Sequence, residues 1–476
     1  MTDATIISEG EDTTTIVGSS AFESIPIEVL RKIFSFLSFE DNLRARDVCT
    51  LWCDLVDENL SFNVPLGNET LGTVQLMNRP IKSLFVSNLT KEISFADSIR
   101  GNIGTKVDHL FLGRVSHPYP SISQDNLIAL LTSLKEITSL TISPRSLDIK
   151  DLSLFTMISL GNVTKLEILV RRLSELETFK GILQLRLPSL QHLRLDWEKV
   201  YVSNVEKMMP LYEEMYAFVG RHKRMLRTLD LSMPYHWIDR HVPTTGDDRR
   251  SEILRTLPQV QLESVMLQGL PVEGSPVFNL GFHLLNHQKS LRALSLKDLK
   301  VGYYTRLRPL FLNSAGTLTE LRMEGASMGA SSYGPFSCQL LKPCLNLRKL
   351  TIHNPQISEL TRIEDLPLGL EALSLKMPID GRVVYSWIWS NLVDLKELGI
   401  RPTLWDSHAV VDINHFQHLL ALPHLTKLTL SDGLFQSREI LEFTQRTSGL
   451  TLNAASYSWP DLVNVYIHVD REVYSP

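Results

Sequence analysis

The chain has 476 residues, 43% of them hydrophobic and 21% charged, with a net charge of −5. This is the composition of ordinary globular protein, long enough for more than one domain or one extended repeat array, and it carries no overall nucleic-acid signature. Only four cysteines occur, no apolar run reaches the roughly 18 residues of a membrane span, and no basic region precedes an apolar one at the N-terminus, so a protein of the cytoplasm and/or nucleus with no membrane partner is expected.

Residues 1–20 hold Asp3, Glu9, Glu11, Asp12 and a Thr13-Thr14-Thr15 run, and no Lys or Arg precedes Arg31. Few apolar groups and one sign of charge predict a disordered acidic tail.

Over residues 21–60 the pattern changes to that of a small helical domain. Pro26 suits a first helical position and Glu28 the positive end of a helix dipole, while Leu30, Ile33, Phe34 and Leu37 recur at i, i+3, i+4 and i+7. Ser38 and Asp41 have the spacing of a capping box, and Ala45, Val48, Cys49 and Trp52 repeat the helical period, extended by Leu43 and Leu55. Two amphipathic helices placed back to back are expected. Their apolar surface exceeds what a unit of 32 residues covers by itself, which points to a protein docking site.

The string Ile25-Pro26-x-Glu28-x-Leu30-x-x-Ile33-x-x-x-Leu37-x-x-x-Asp41-x-Leu43-x-x-x-x-Val48-Cys49-x-x-Trp52 resembles the F-box, a helical module that docks on the Skp-type adaptor of cullin-based ubiquitin ligases. The resemblance implies adaptor contacts by Pro26, Ile27, Leu30, Ile33, Phe34, Leu37, Leu43, Val48, Cys49 and Trp52, with some of them forming the core instead. Three departures stand out: Ile25 where Leu is usual, Asn42 at an apolar place, and Thr50-Leu51 in place of a basic pair. Asn42 is expected to weaken the helical core or the adaptor contact.

Residues 61–80 read as a linker or first cap. Beyond them a motif of the form apolar-x-x-apolar-x-apolar recurs, beginning Ile81-Leu84-Val86, Val107-Leu110-Leu112 and Ile137-Leu140-Ile142 and ending Leu395-Leu398-Ile400, Leu425-Leu428-Leu430 and Leu462-Val465-Ile467. There are about fourteen units, with starts 23 to 37 residues apart. A single short strand cannot bury its inward face unless its neighbour stacks on it, so the spacing predicts a repeat array over 81–476. Helical patterns fill intervening stretches, as at Asn126–Leu134, Met208–Val219 and Glu439–Phe443, and Pro188, Pro258, Pro343, Pro367 and Pro423 stand just before strands. The region resembles a degenerate leucine-rich-repeat array. The Asn or Cys usual three places past the last strand leucine is absent from most units, and Asn88 and Asn354 sit one place early. The expected fold class is α/β: a short helical F-box followed by a curved solenoid with parallel strands on its concave side and helices or irregular turns on its convex side.

The strand positions that point away from the core form the expected client surface. Early units offer mixed residues, whereas Lys297, Arg322, Lys349, Lys376, Arg401 and Lys427 supply one basic group each, against Glu320, Glu324 and Glu397. Solubilising charge is the plain reading; a basic strip for an acidic or phosphorylated client is the sharper one.

Catalytic patterns are missing from the sequence. There is no phosphate loop, nucleophile elbow or CxxC pair; His236, Asp239 and His241 fit no standard metal spacing; and Cys338 and Cys344 have no identifiable activating partner. No cofactor is implied. The resemblance implies the substrate-recognition subunit of an SCF-type (Skp-cullin-F-box) ubiquitin ligase, binding the Skp-type adaptor, through it a cullin, and a client not named by the residues, without its own catalytic site and without a nucleic-acid partner. The alternative is a repeat scaffold that uses the same helices without delivering clients.

Overall fold

The computed structural model describes residues 25–37, 39–46, 48–60, 64–67, 82–87, 89, 107–113, 122–197, 209–233, 247–269, 276–298, 301–325, 334–353, 357–376, 387–388, 390–401, 422, 424–425, 427–430, 450–459 and 462–471. The acidic tail, the His236 to His241 segment and the Glu439–Phe443 stretch lie outside the described residues, as do Ser38, Asn88 and Asn354.

Three N-terminal helices replace the two expected: α1 (Ile27–Phe36), α2 (Phe39–Arg46) and α3 (Thr50–Leu60). The chain leaves α2 by a turn in which the Val48 N–H donates to the Ala45 carbonyl at 3.2 Å, and it re-enters helix with the Cys53 N–H donating to the Cys49 carbonyl at 2.9 Å. A turn closed three residues back has the same i, i+3 spacing as a helix, so apolar periodicity runs through the break unchanged. Pro26 is the N-cap rather than the first helical residue: its ψ is 140° and its carbonyl accepts from the Val29 and Leu30 amides. Leu30, Phe34, Ala45, Leu55 and Val56 are buried together, with Ile25 and Trp52 packed against them.

Among the described residues sixteen strands form one sheet. They are β1 (Val64–Leu66), β2 (Ser83–Val86), β3 (His109–Leu112), β4 (Ser139–Ile142), β5 (Lys165–Leu169), β6 (His192–Asp196), β7 (Thr228–Ser232), β8 (Ser264–Gln268), β9 (Ala293–Lys297), β10 (Glu320–Glu324), β11 (Lys349–His353), β12 (Ala372–Lys376), β13 (Glu397–Arg401), β14 (Lys427–Leu430), β15 (Leu450–Trp459) and β16 (Leu462–Arg471). From β1 to β14 each strand pairs in parallel with the next in sequence order, and the register places Val64 opposite Leu84, Leu84 opposite Leu110, and so on to Leu398 opposite Leu428. The two strand leucines of every motif therefore form two continuous apolar rows. Burial alternates accordingly, as in β6, where Leu193 and Leu195 are buried and His192 and Arg194 are exposed. Each buried leucine contributes about 1.5–3 kcal/mol, and each is covered only because a neighbouring unit stacks on it.

Two ends of the array differ from the expectation. Val64–Leu66 adds a strand within the segment read as linker or first cap. At the other end Leu462, Val465 and Ile467 belong to β16, which runs antiparallel to both β14 and β15, so the last motif is no repeat of the parallel series. An alternating apolar pattern is blind to strand direction, because both ladders have a side-chain period of two.

Helices α4 (Gln124–Ser133), α5 (Leu176–Ile182), α6 (Met209–Arg221), α7 (Asp247–Thr256), α8 (Pro276–Asn286) and α9 (Arg308–Asn313) lie in the stretches between strands. Helix α4 starts where Ser123 accepts from the Asn126 amide, and α6 matches the apolar pattern read from Met208 onward. One core runs through the array from Leu66 to Leu422.

Buried polar groups at other positions serve the backbone, Asn126 at the turn after β2 and Gln288 and Ser314 at the turns that enter β8 and β9. Asn126 donates to the Leu89 carbonyl at 2.7 Å. Gln288, fully buried, donates to the Val260 and Leu284 carbonyls at 3.0 and 2.8 Å and accepts from the Leu262 amide at 2.8 Å. Ser314 donates to the Gln288 carbonyl at 3.0 Å. Backbone groups at these turns must find partners inside the protein, and which side chain supplies them is not tied to one motif position.

Candidate functional site

The helical unit turns a second apolar stripe outward. Ile27, Val29, Ile33, Phe36 and Leu37 on or just after α1, with Val48 in the turn before α3 and Leu51 in its first turn, are exposed, Phe36 to 75% and Val48 to 61%. Val29, Ile33 and Phe36 follow at i, i+4 and i+7, one residue round the helix from the buried Leu30 and Phe34. Lys32 lies over the Phe36 ring at 5.0 Å, so one face of that ring is partly shared with a cation. Several exposed apolar side chains grouped on one small unit mark an interaction surface.

Among the ten residues expected to dock the adaptor, the structure separates two groups. Ile27, Ile33, Leu37, Val48, Cys49 and Pro26 are exposed. Leu30 and Phe34 are 2% and 1% exposed and are core; Trp52 is half-buried, its ring edge-on to Phe34 with centroids 5.2 Å apart and planes at 77°. The Leu43 side chain lies outside the described residues. Val29, Phe36 and Leu51 also lie on the outward face. Val29 and Phe36, at i and i+7 with Ile33 between them, carry the signal of a second apolar stripe beside the first, whereas Leu51 stands at a departure from the F-box pattern.

Asn42 lies inside the helical unit rather than on its outward face, and its buried Oδ1 has no hydrogen-bond partner among the described residues. Its Nδ2 donates to the Phe34 carbonyl at 3.1 Å and to the Leu37 carbonyl at 3.3 Å. The Phe34 carbonyl also accepts from the Leu37 N–H at 3.2 Å, so the amide adds a second bond there and a bond to the Leu37 carbonyl, fastening the end of α1 from α2. Thr50 is exposed and Leu51 is 42% exposed, so the pair standing where basic residues are usual extends the outward face with an apolar group.

The second candidate surface is the open face of the sheet, where first, third and fifth strand positions form rows across the strands. The six basic residues do not make one strip. Lys349 and Lys427 hold first positions, Arg322 a third, and Lys297, Lys376 and Arg401 fifths. Lys297 and Arg322 converge on one carboxylate: Lys297 Nζ is 3.8 Å from Glu324, and Arg322 Nε donates to Glu324 at 2.6 Å. Recurrence once per unit fixed the strand but not the position within it. The side chains of Lys376, Arg401 and Lys427 lie outside the described residues.

Further toward the N-terminus the same face carries features that the residue pattern did not reveal. Phe85 and Phe111 occupy adjacent third positions, their rings stacked at 4.2 Å with 6° between planes. Farther along the row Glu167, Arg194 and Asp230 occupy successive third positions. Arg194 is shared among Glu167, Asp196 and Asp230 at 3.3, 3.3 and 3.4 Å. Burial pushes the Asp230 carboxyl up to about 6, with Asp196 and Glu167 adding to the shift and Arg194 and Lys297 opposing it.

Cys338 and Cys344 are buried in the array core, and burial pushes their thiols up to about 12 and about 11. Cys344 Sγ donates to the Phe311 carbonyl at 3.7 Å. Thiols raised in this way stay protonated near neutral pH, and both pack in the core.

Comparison with known proteins identifies an F-box-like domain at residues 22–63. No curated protein matches the chain. A solved structure titled as the crystal structure of a TLR13-ssRNA13 complex is similar at 16% identity and a TM-score of 0.29, covering 75% of this chain and 55% of that one. The chain thus spans about half the length of that structure.

Proposed function

We propose that this chain is the substrate-recognition subunit of an SCF-type ubiquitin ligase, docking a Skp-type adaptor, and through it a cullin, by the outward apolar face of α1 and α3. The parallel array, which we read as a curved leucine-rich-repeat-like solenoid, presents its open sheet face to a client. The observation that carries the reading is the outward stripe of Val29, Ile33 and Phe36 inside an F-box-like domain. An apolar stripe of this kind on a unit whose own core is already complete has value only when a partner covers it.

On this reading the bond-making belongs to other subunits. The chain has no catalytic site of its own and contributes proximity and orientation of a client lysine, in the cytoplasm and/or nucleus. A scaffold that delivers no client is the alternative, favoured by Asn42 at an apolar place and by the lack of a basic pair at Thr50-Leu51.

Co-purification of the full chain with adaptor and cullin, native against an Ile33→Glu/Phe36→Glu variant, tests docking. Capture of both partners by the native chain and of neither by the variant is expected. A native chain that captures neither overturns the ligase reading.

A further inference from the structure

The third-position row of the open sheet face is apolar at one end and anionic in its middle. It runs Phe85, Phe111, Thr141, Glu167, Arg194, Asp230 on strands β2 to β7. From these side chains we infer that the row binds an extended client segment that carries an apolar or aromatic anchor followed by a lysine or arginine. The inference rests on the reading of this face as the client surface and names the chemistry of what it takes.

The anchor end is the stacked pair. Phe85 is 37% exposed, and the stack is a ready apolar platform on an otherwise polar face. The anionic part is built around a single guanidinium divided among three carboxylates that are 14–22% exposed. A carboxylate that shares its cation and is partly shielded from water gains from a second cation more than a fully solvated one does. Glu167 and Asp230 flank Arg194 in the row, so an incoming cation can reach either without displacing it. Lys165, exposed at the first position of β5, excludes a second cation from the first row and confines the guest to the third and fifth. The same carboxylates repel a phosphodiester backbone, which removes a nucleic-acid strand stacked on the phenylalanines as the occupant.

Strand spacing sets the register of the guest. Strands lie about 4.8 Å apart, so Glu167 is roughly 10 Å from Phe111 across the sheet and Asp230 roughly 19 Å. An extended peptide advances about 3.3 Å per residue, which places the cation about three to six residues after the anchor.

The test is fluorescence anisotropy on the full-length chain with labelled synthetic peptides of about ten residues in a Gly/Ser background. One carries Phe followed by Lys and Arg about four and six residues on, a second has Glu in place of both cations, and a third has Ser in place of Phe. The first is expected to bind about tenfold tighter than the other two, and more weakly as salt rises. Phe85→Ser/Phe111→Ser and Glu167→Gln/Asp230→Asn are each expected to lose that preference. Arg194→Gln is expected to bind the cationic peptide more tightly than the native chain, a change of sign that general loss of structure does not produce; circular dichroism confirms the fold of each variant.

Equal binding of the Glu peptide, no binding of the cationic one, or indifference to these substitutions overturns the proposal and leaves adaptor docking and client delivery standing. Loss of adaptor capture with peptide binding retained overturns the ligase reading alone.

Discussion

The Asn42 side-chain amide donates to the Phe34 carbonyl at 3.1 Å across eight residues of sequence, joining the middle of α2 to the end of α1. Asn42→Leu, although closer to the apolar pattern, removes the bond to the Leu37 carbonyl and one of the two to the Phe34 carbonyl, which keeps the Leu37 N–H. It is expected to cost about 1 kcal/mol, offset in part by loss of the unpartnered Oδ1. Hydrogen exchange of the α1 amides in the full chain should accelerate severalfold, while capture of the adaptor at saturating concentration persists because the outward stripe is untouched.

Two pairs of substitutions separate docking from folding in the helical unit. Ile33→Glu/Phe36→Glu alters residues 45% and 75% exposed and should abolish adaptor capture with amide protection unchanged. Leu30→Ala/Phe34→Ala removes buried side chains at about 2–5 kcal/mol each, so it should abolish capture together with protection.

Gln288, fully buried, bonds two backbone groups of the preceding unit, Val260 and Leu262, and the Leu284 carbonyl of its own unit. Gln288→Leu keeps the apolar volume and leaves all three unpaired, an expected loss of roughly 3 kcal/mol or more. Ser314→Ala removes one such bond and should cost about 1 kcal/mol. Urea midpoints of native and variant chains measure both.

Asp230 gives the array a pH signature. Its folded value of about 6 lies above the ordinary 3.8, so the folded chain holds a proton there that the unfolded chain has released between those values. Its contribution to stability is therefore fully present below about pH 4 and is lost as pH rises through about 6. Arg194 and Asp196 on β6, Glu167 on β5 and Lys297 on β9 act on the same carboxyl. Across that window the melting temperature of the native chain, measured relative to Asp230→Asn, should fall as pH rises. An unchanged difference from pH 4 to pH 7 would contradict the shift.

Gly269 limits substitution at the turn after β8. Its φ of +69° is a left-handed conformation, and a Cβ there would stand 2.8 Å from the Met233 carbonyl oxygen. Gly269→Ala combines backbone strain with a backbone clash and is expected to destabilise by roughly 1–3 kcal/mol, read from the same urea midpoints.

The strand of each parallel unit was legible in the residues, because a short strand buried on one face imposes a local apolar-x-apolar signature wherever it lies. Leu84, Leu229 and Leu398 could be placed on one apolar row from spacing alone, and the register confirms it. Local patterns of this kind carry no direction and no depth. They could not distinguish the antiparallel β16 from a further repeat, nor the turn at Val48 from a continued helix. They could not sort Phe34, which is core, from Phe36, which faces water. Those distinctions arise when segments far apart in sequence meet: Asn42 becomes a fastening only beside the end of α1, and Phe85 and Phe111 become a platform only when β2 and β3 pair. The sequence by itself determined the parallel strands of the array and some of its helices, such as those beginning near Asn126 and Met208. The tertiary structure decided which of their faces remain open to a partner, because exposure is a property of what packs against a side chain and not of the side chain itself.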